Sequence, residues 1–130
     1  MQTLTQTKPD LTNDKKAVAL RAFFNIAEKW GLTNGDMITL LGQPTEATFY
    51  NWKKGQVKTV SYDTIQRVSY ILGIYKALQH LYIRPELADA WIKKPNLQFG
   101  GDSALNRMLG GDIIDLASVR TYLDNVRGGR

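Results

Sequence analysis

Few side chains of this 130-residue chain could carry out acid–base or metal chemistry. His80 is the sole histidine and there is no cysteine, so the usual spacings of zinc ligands are missing. Asp112 and Asp115 form a candidate carboxylate pair, but a helix N-cap and a first-turn acid explain them better. Because catalysis near neutral pH needs groups with tunable pKa values, a metal or a cofactor, we expect no enzyme, no metal and no cofactor.

The side chains best suited to bind a polyanion lie between positions 45 and 58. Thr45 or Thr48 can cap a helix or bond a phosphate, and a helix N-terminus favours phosphate. Lys53, Lys54 and Lys58 supply attraction that does not depend on base sequence. This combination of residue types predicts DNA binding.

Base recognition would fall to neighbouring residues of the same segment. Tyr50 and Asn51 could touch base edges. Glu46 would repel a phosphate, although it could accept a hydrogen bond from a cytosine amino group or cap its own helix. The alternative is a small helical bundle whose lysine pair is simply solvated.

Positioning these residues requires two short helices after a longer one. Helical spacing and glycine stops predict a helix from about Asp14 to Trp30, then short helices over Thr33–Leu41 and about Thr45–Lys54. In the third helix, Phe49 and Trp52 should face inward and leave the polar and cationic residues near solvent. This order is typical of a helix-turn-helix, which sets its second helix into a major groove.

The remainder also reads as helical. Ser61 is the predicted N-cap of a long helix, Pro85 the first-turn proline of a shorter one, and Asp112 the cap of the last. A short helix is predicted between them, over Asp102–Leu109. The long helix has a predicted apolar stripe of Ile65, Val68, Leu72, Tyr75, Leu78 or Gln79, and Tyr82, and the proline-started helix should turn Leu87, Ala90 and Trp91 inward. No stretch alternates long enough for a strand, so the predicted fold class is all-α.

Charge and hydropathy narrow the function further. Lys and Arg total 17 against 12 Asp and Glu, a net charge of +5 that favours polyanionic partners weakly. No apolar run approaches the roughly 20 residues that cross a bilayer, and the polar start has no signal-peptide core, so we expect a cytoplasmic protein without membrane contact. Residues 1–13 are predicted to be a flexible arm.

The residues from about Ala17 to Arg130 resemble an antitoxin of the Xre/MbcA/ParS type, whose partners are RES-domain toxins. The resemblance rests on a tract in the first half and a series of short motifs in the second. These are Leu41-Gly42, Thr48 to Gly55, Ser61, Asp63, Arg67, Ala90-Trp91-Ile92, Pro95-Asn96, Phe99-Gly100-Gly101, Leu105, Met108-Leu109, Gly111, Val119-Arg120, Tyr122-Leu123 and Arg127-Gly128-Gly129. The chain departs from the family at Ala104, where proline is common, and in a turn one residue longer at Gly42 to Thr45.

The resemblance implies two activities on one chain. The N-terminal part is expected to bind the promoter of its own operon as an autorepressor, and the C-terminal part to cover the active site of a toxin that consumes NAD+. We therefore expect a flexible arm over residues 1–13, a helix-turn-helix domain over residues 14–60, a connecting helix over residues 61–84 and a toxin-binding domain over residues 85–130. A homodimer is expected because helix-turn-helix proteins commonly read two half-sites.

The toxin contact would need apolar anchors and cations. Candidate anchors are Trp91, Phe99, Leu105, Tyr122 and Leu123. Candidate cations for a dinucleotide-binding cleft are Arg120, Arg127 and Arg130. Trp91, Leu105 and Leu123 also lie on helical stripes typical of the protein's own core, so core packing remains their alternative. For the whole chain, the alternative is a free-standing helix-turn-helix regulator without a toxin.

Overall fold

The structure, a computed structural model, describes residues 12–128. Predictions for most of the N-terminal arm and for Arg130 lie outside the described residues. Between residues 12 and 128 the chain forms seven α-helices and a short 3₁₀ turn, with one isolated β-bridge between Pro95 and Ser103. They are α1 (Asn13–Lys29), α2 (Asn34–Leu40), α3 (Glu46–Lys53), α4 (Tyr62–Leu81), α5 (Pro85–Trp91), the 3₁₀ turn Leu97–Phe99, α6 (Ala104–Met108) and α7 (Ile113–Arg127). The all-α prediction is confirmed.

Helix starts follow the polar residues that the sequence supplies. The Ser61 hydroxyl accepts from the Thr64 amide at 3.1 Å, and Asp112 accepts from the Ile114 amide at 3.0 Å, so both predicted caps are confirmed. Helix α1 begins one residue earlier than predicted because Thr12 caps it. No helix within residues 12–128 has both the length and the apolar character needed to cross a membrane.

Helix α4 is the centre of the fold, since α1, α5 and α7 all pack against it. The stripe predicted from the sequence is too narrow. Ile71, Ile74 and Ala77 are at most 1% exposed, whereas the predicted Leu72 and Tyr75 are only half-buried. A helix with neighbours on several sides buries side chains around much of its circumference. A single apolar stripe at 3.6-residue spacing therefore does not predict that Ile71, Ile74 and Ala77 are buried.

Helix α5 is rotated from its predicted orientation. Leu87 and Ala90 were expected to face inward, but both are exposed. Ala88 and Ile92 are fully buried instead, and the Ile92 carbonyl accepts a hydrogen bond from the Leu105 amide at 2.9 Å. In a helix of seven residues, such tertiary contacts outweigh the weak periodic signal.

The start of α4 clamps the turn between α2 and α3. The buried Thr64 hydroxyl donates to the Leu41 carbonyl at 2.8 Å. Gly42 adopts a φ of +93°, and a Cβ there would lie 3.0 Å from Oδ2 of Asp63, which is paired with Arg67 at 2.8 Å. Glycine is therefore required at this turn both for its backbone conformation and for space. These contacts of Thr64, Asp63 and Arg67 with the turn, which we call the clamp, fix the direction in which α3 follows α2.

Candidate functional site

The exposed face of α3 carries the side chains expected to bind DNA. Phe49 and Trp52 are 0% and 6% exposed, which confirms the predicted inward face. The Phe49 ring meets Phe24 of α1 edge to face, with 5.8 Å between centroids. Seven of the predicted DNA-binding residues are exposed and Thr48 is half-buried. The exposed ones are Thr45, Glu46, Tyr50, Asn51, Lys53, Lys54 and, four residues beyond the C-cap, Lys58.

The N-terminal end of α3 is built by two threonines. The Thr45 hydroxyl accepts from the Thr48 amide at 3.2 Å and lies 3.0 Å from the Thr48 hydroxyl, to which it donates. Thr45 is therefore the N-cap, while Thr48 is half-buried one turn further on. Glu46 is the first residue of α3, where a negative charge stabilises the helix dipole.

Asn34, at the start of α2, joins two of the predicted DNA-binding residues. Its Nδ2 donates to the Tyr50 hydroxyl at 3.2 Å, and its Oδ1 accepts from Lys53 Nζ at 3.1 Å. Lys53 Nζ also lies 5.6 Å from the centroid of the Phe49 ring. Sequence reasoning missed Asn34 because 16 and 19 residues separate it from its partners, and no local pattern links such positions.

Two surface concavities flank α3. One, of about 210 Å³, is lined by Thr48, Asn51, Trp52, Gln56, Lys58 and Thr59. The other, of about 320 Å³, is lined by Ala17, Arg21, Phe24, Asn25, Trp52, Lys53, Lys54 and Gly55. The second concavity adds Arg21 of α1 to the lysine pair, so the fold gathers more positive charge here than the local sequence contains.

In the second half of the chain, three rings form an aromatic cluster, consisting of Trp91, Phe99 and Tyr122. Trp91 and Tyr122 stack with an interplanar angle of 11° and 6.3 Å between centroids. Phe99 meets both rings nearly perpendicularly, at 6.4 and 5.6 Å. The Arg107 guanidinium lies 5.5 Å from the Phe99 centroid. Trp91 and Tyr122 are half-buried, so part of the cluster remains open to solvent.

Three of the candidate toxin anchors belong to the core. Phe99, Leu105 and Leu123 are 8%, 7% and 1% exposed and pack with the other buried residues. A side chain so enclosed offers almost no surface to a partner. Their burial favours the core alternative over a direct toxin contact.

The three candidate arginines do not form one cluster within the described residues. Arg120 pairs with Asp124 at 3.0 Å and lies against α4 at Gly73, where a Cβ would collide with its guanidinium. Arg127 is exposed in the last turn of α7, and Arg130 is outside the described residues. Residues 120 and 122 are about 200° apart on a helix, so Arg120 is directed away from the aromatic cluster that contains Tyr122.

The Glu86 carboxyl makes local contacts at the start of α5. Hydrogen bonds to its own backbone and to the Arg84 side chain lower the pKa of the Glu86 carboxyl. Arg84 and Glu86 are 3.0 Å apart and exposed at the start of α5. Within residues 12–128, no three His, Cys, Asp or Glu side chains are grouped closely enough to hold a metal ion.

Comparison with known proteins assigns both halves. Residues 11–73 match the antitoxin Xre-like helix-turn-helix domain, and residues 77–129 match the antitoxin Xre/MbcA/ParS C-terminal toxin-binding domain. The chain is also 46% identical to the "Uncharacterized protein y4oB" of Sinorhizobium fredii over 123 residues, which is 95% of each chain.

These matches define a two-part regulator, a helix-turn-helix domain followed by a toxin-binding domain. The chain belongs to the antitoxins that join an Xre-like helix-turn-helix to an Xre/MbcA/ParS C-terminal domain. It is the antitoxin partner of a toxin–antitoxin system, and neither matched domain family is enzymatic.

Proposed function

We propose that this antitoxin binds the promoter of its own operon through α3 and neutralises a RES-domain toxin that consumes NAD+. One observation carries the proposal. The two halves that match the two antitoxin domain families each present a separate exposed surface, a polar cationic one on α3 and a partly apolar one at the aromatic cluster. Acting on promoter DNA, the protein would work in the cytoplasm.

The composition of the α3 surface supports DNA binding. Its lysines are exposed and can neutralise phosphates, and the exposed side chains of Tyr50 and Asn51 carry groups that can hydrogen-bond to base edges. Asn34 limits the freedom of Tyr50 and Lys53 before any DNA arrives, which reduces the entropy lost on binding. A homodimer is part of the proposal because helix-turn-helix proteins commonly read two half-sites as dimers.

The match of residues 77–129 to a toxin-binding domain supports a toxin contact in the second half. The RES-domain identity of that toxin rests on the family resemblance. A toxin cleft that binds the pyrophosphate of NAD+ carries positive charge, which would repel a second cation placed at its centre. We therefore assign Arg127, exposed near the end of α7, to the rim of the covered cleft, and Arg130 to the same chain end.

Co-expression tests the proposal directly. Tagged protein is produced together with the product of the neighbouring reading frame, the complex is isolated, and the partner is released and assayed for NAD+ consumption. We expect a stable complex whose released partner destroys NAD+. Absence of any complex, together with specific binding of a promoter duplex, would instead establish a free-standing regulator.

A further inference from the structure

A compact loop joins α5 to α6 and is closed by backbone hydrogen bonds. Asn96 is its hub: its amide donates to the Asp102 carbonyl at 3.0 Å, and its own carbonyl accepts from the amides of Phe99 and Gly101, each at 3.0 Å. The Asn96 side chain accepts from the Gln98 amide at 2.9 Å. These bonds hold the loop in one conformation without help from a partner.

The two glycines of the loop make this conformation possible. Gly100 and Gly101 have φ values of +69° and +86°, a region that side chains other than glycine's rarely adopt. The Asp102 carboxylate closes the far end, accepting from the Ser103 amide at 2.9 Å and from Asn106 Nδ2 at 2.7 Å. The loop is therefore braced on both sides of its tip.

At the tip, Leu97 is 94% exposed. A single exposed leucine is common on protein surfaces, but this one is held on a braced loop and not on a free chain end. Phe99, two residues further along the chain, is the buried member of the aromatic cluster. Leu97 and Phe99 are about 240° apart on a 3₁₀ turn, so Leu97 projects into solvent on the side away from the buried Phe99 ring. The exposed Arg107 lies over Phe99.

We propose that Leu97 is the principal apolar anchor of the toxin contact and enters an apolar pocket on the toxin. The proposal rests on the proposed function of this domain, since the match of residues 77–129 to a toxin-binding domain is what identifies the occupant as a toxin. Interface energy is concentrated in a few anchors that fill pockets and are surrounded by polar residues. A braced loop loses little conformational entropy when its anchor binds.

Ile83 provides a matched control for this anchor. It is 100% exposed, is a branched aliphatic residue of the same size class, and lies within the same matched domain but outside the braced loop. If exposed apolar area alone decided the affinity, Ile83 and Leu97 would contribute equally. The proposal predicts that they do not.

The experiment measures toxin affinity of the full chain by titration calorimetry with the purified RES-domain partner. We expect Leu97→Ser to weaken binding at least tenfold, Leu97→Met to stay within threefold of wild type, and Ile83→Ser within twofold. All variants should keep the helical content and promoter binding of wild type, since surface changes of this kind barely affect folding.

Three results would overturn the proposal. Equal affinity of Leu97→Ser and wild type would remove Leu97 as an anchor while leaving the antitoxin function in place. Equal losses from Leu97→Ser and Ile83→Ser would show a general effect of apolar area. If the wild-type protein binds no toxin, the proposed function and this inference are both refuted. Because wild type is measured first, this outcome is distinguished from the other two before any variant is tested.

Discussion

The two proposed binding surfaces of this antitoxin differ in chemical character. On α3 the exposed side chains are polar and cationic, and Lys53 and Tyr50 are held by hydrogen bonds to Asn34 on another helix. At the second surface, half-buried rings and the exposed Leu97 predominate, and a braced loop provides the order. The first surface should respond strongly to salt, whereas the second should depend on shape and apolar contact.

This difference in chemistry would let one chain discriminate between two kinds of partner. A polyanion is attracted to charge at long range, so the lysines of α3 can act before close contact is made. An apolar anchor has no such reach and needs a complementary pocket. Helix α4, packed against both α1 and α7, joins the two surfaces.

The largest expected effect comes from removing the lysine pair on α3. Replacing Lys53 and Lys54 together with alanine should weaken promoter binding by at least about a hundredfold, since hydrogen bonds to charged groups contribute about 1.5–3 kcal/mol each. The slope of log affinity against log salt should fall by about 1.8, because each phosphate contact contributes about 0.9. Fluorescence anisotropy over a salt series measures both.

Lys93 and Lys94, which are consecutive in the sequence like Lys53 and Lys54, provide the matched control for that double variant. Replacing both with alanine removes the same charge from an exposed site in the second half. Promoter affinity should then change by no more than about threefold, as expected from net charge alone. Equal losses from the two pairs would mean that overall charge, and not the α3 surface, binds DNA.

The next effect in size concerns the turn that positions α3. Gly42→Ala should lower the free energy of unfolding by about 2 kcal/mol, because its φ of +93° strains other residues and its Cβ would approach Asp63 and Arg67. Chemical denaturation measures this. Gly35→Ala is the control, since its Cβ meets only Thr33 Oγ1 at 3.8 Å and alanine favours a helix. Equal stability of Gly42→Ala and wild type would contradict the clamp.

A smaller effect is expected at the end of α7. Deleting residues 127–130 should weaken neutralisation of the toxin roughly tenfold, through loss of Arg127 and Arg130, as one tenfold step equals about 1.4 kcal/mol. Promoter binding should be unchanged. The antitoxin concentration that halves NAD+ consumption gives the measure, and loss of both activities would show that the two halves are not functionally separate.

The smallest effect tests the bracing of the loop. Asn96→Ala leaves Leu97 in place but removes the side-chain bond to the Gln98 amide. Losing a cap of this kind costs about 1 kcal/mol, so toxin affinity should fall about fivefold if order in the loop matters. Asn125→Ala, at an exposed position of α7, should have no effect. If Asn96→Ala binds the toxin as tightly as wild type does, the loop is ordered without this bond.

Local features of this fold were predictable from the sequence, and long-range ones were not. Ser61, Asp112 and Pro85 mark helix starts because each acts on its own first turn. The inward face of α3 followed from Phe49 and Trp52, three residues apart. The buried side of α5 could not be predicted, since it is decided by which helices surround it.

The same limit applies to the two candidate sites. The exposed residues of α3 were found because one short helix contains them, but their contact with Asn34 arises only after folding. In the second half, the apolar residues suggested as anchors include Leu105 and Leu123, which sequence could not separate from core residues. Leu97 was missed because exposure of an apolar residue in a loop leaves no periodic signal.

We propose that this one chain carries two separable binding surfaces. The most direct test titrates wild-type protein and the Lys53→Ala, Lys54→Ala double variant against the NAD+ consumption of the purified RES-domain partner. We predict that both inhibit fully and at the same stoichiometry, although only wild type still binds the promoter. Failure of wild type to inhibit, or a matching loss of inhibition in the double variant, would contradict the account.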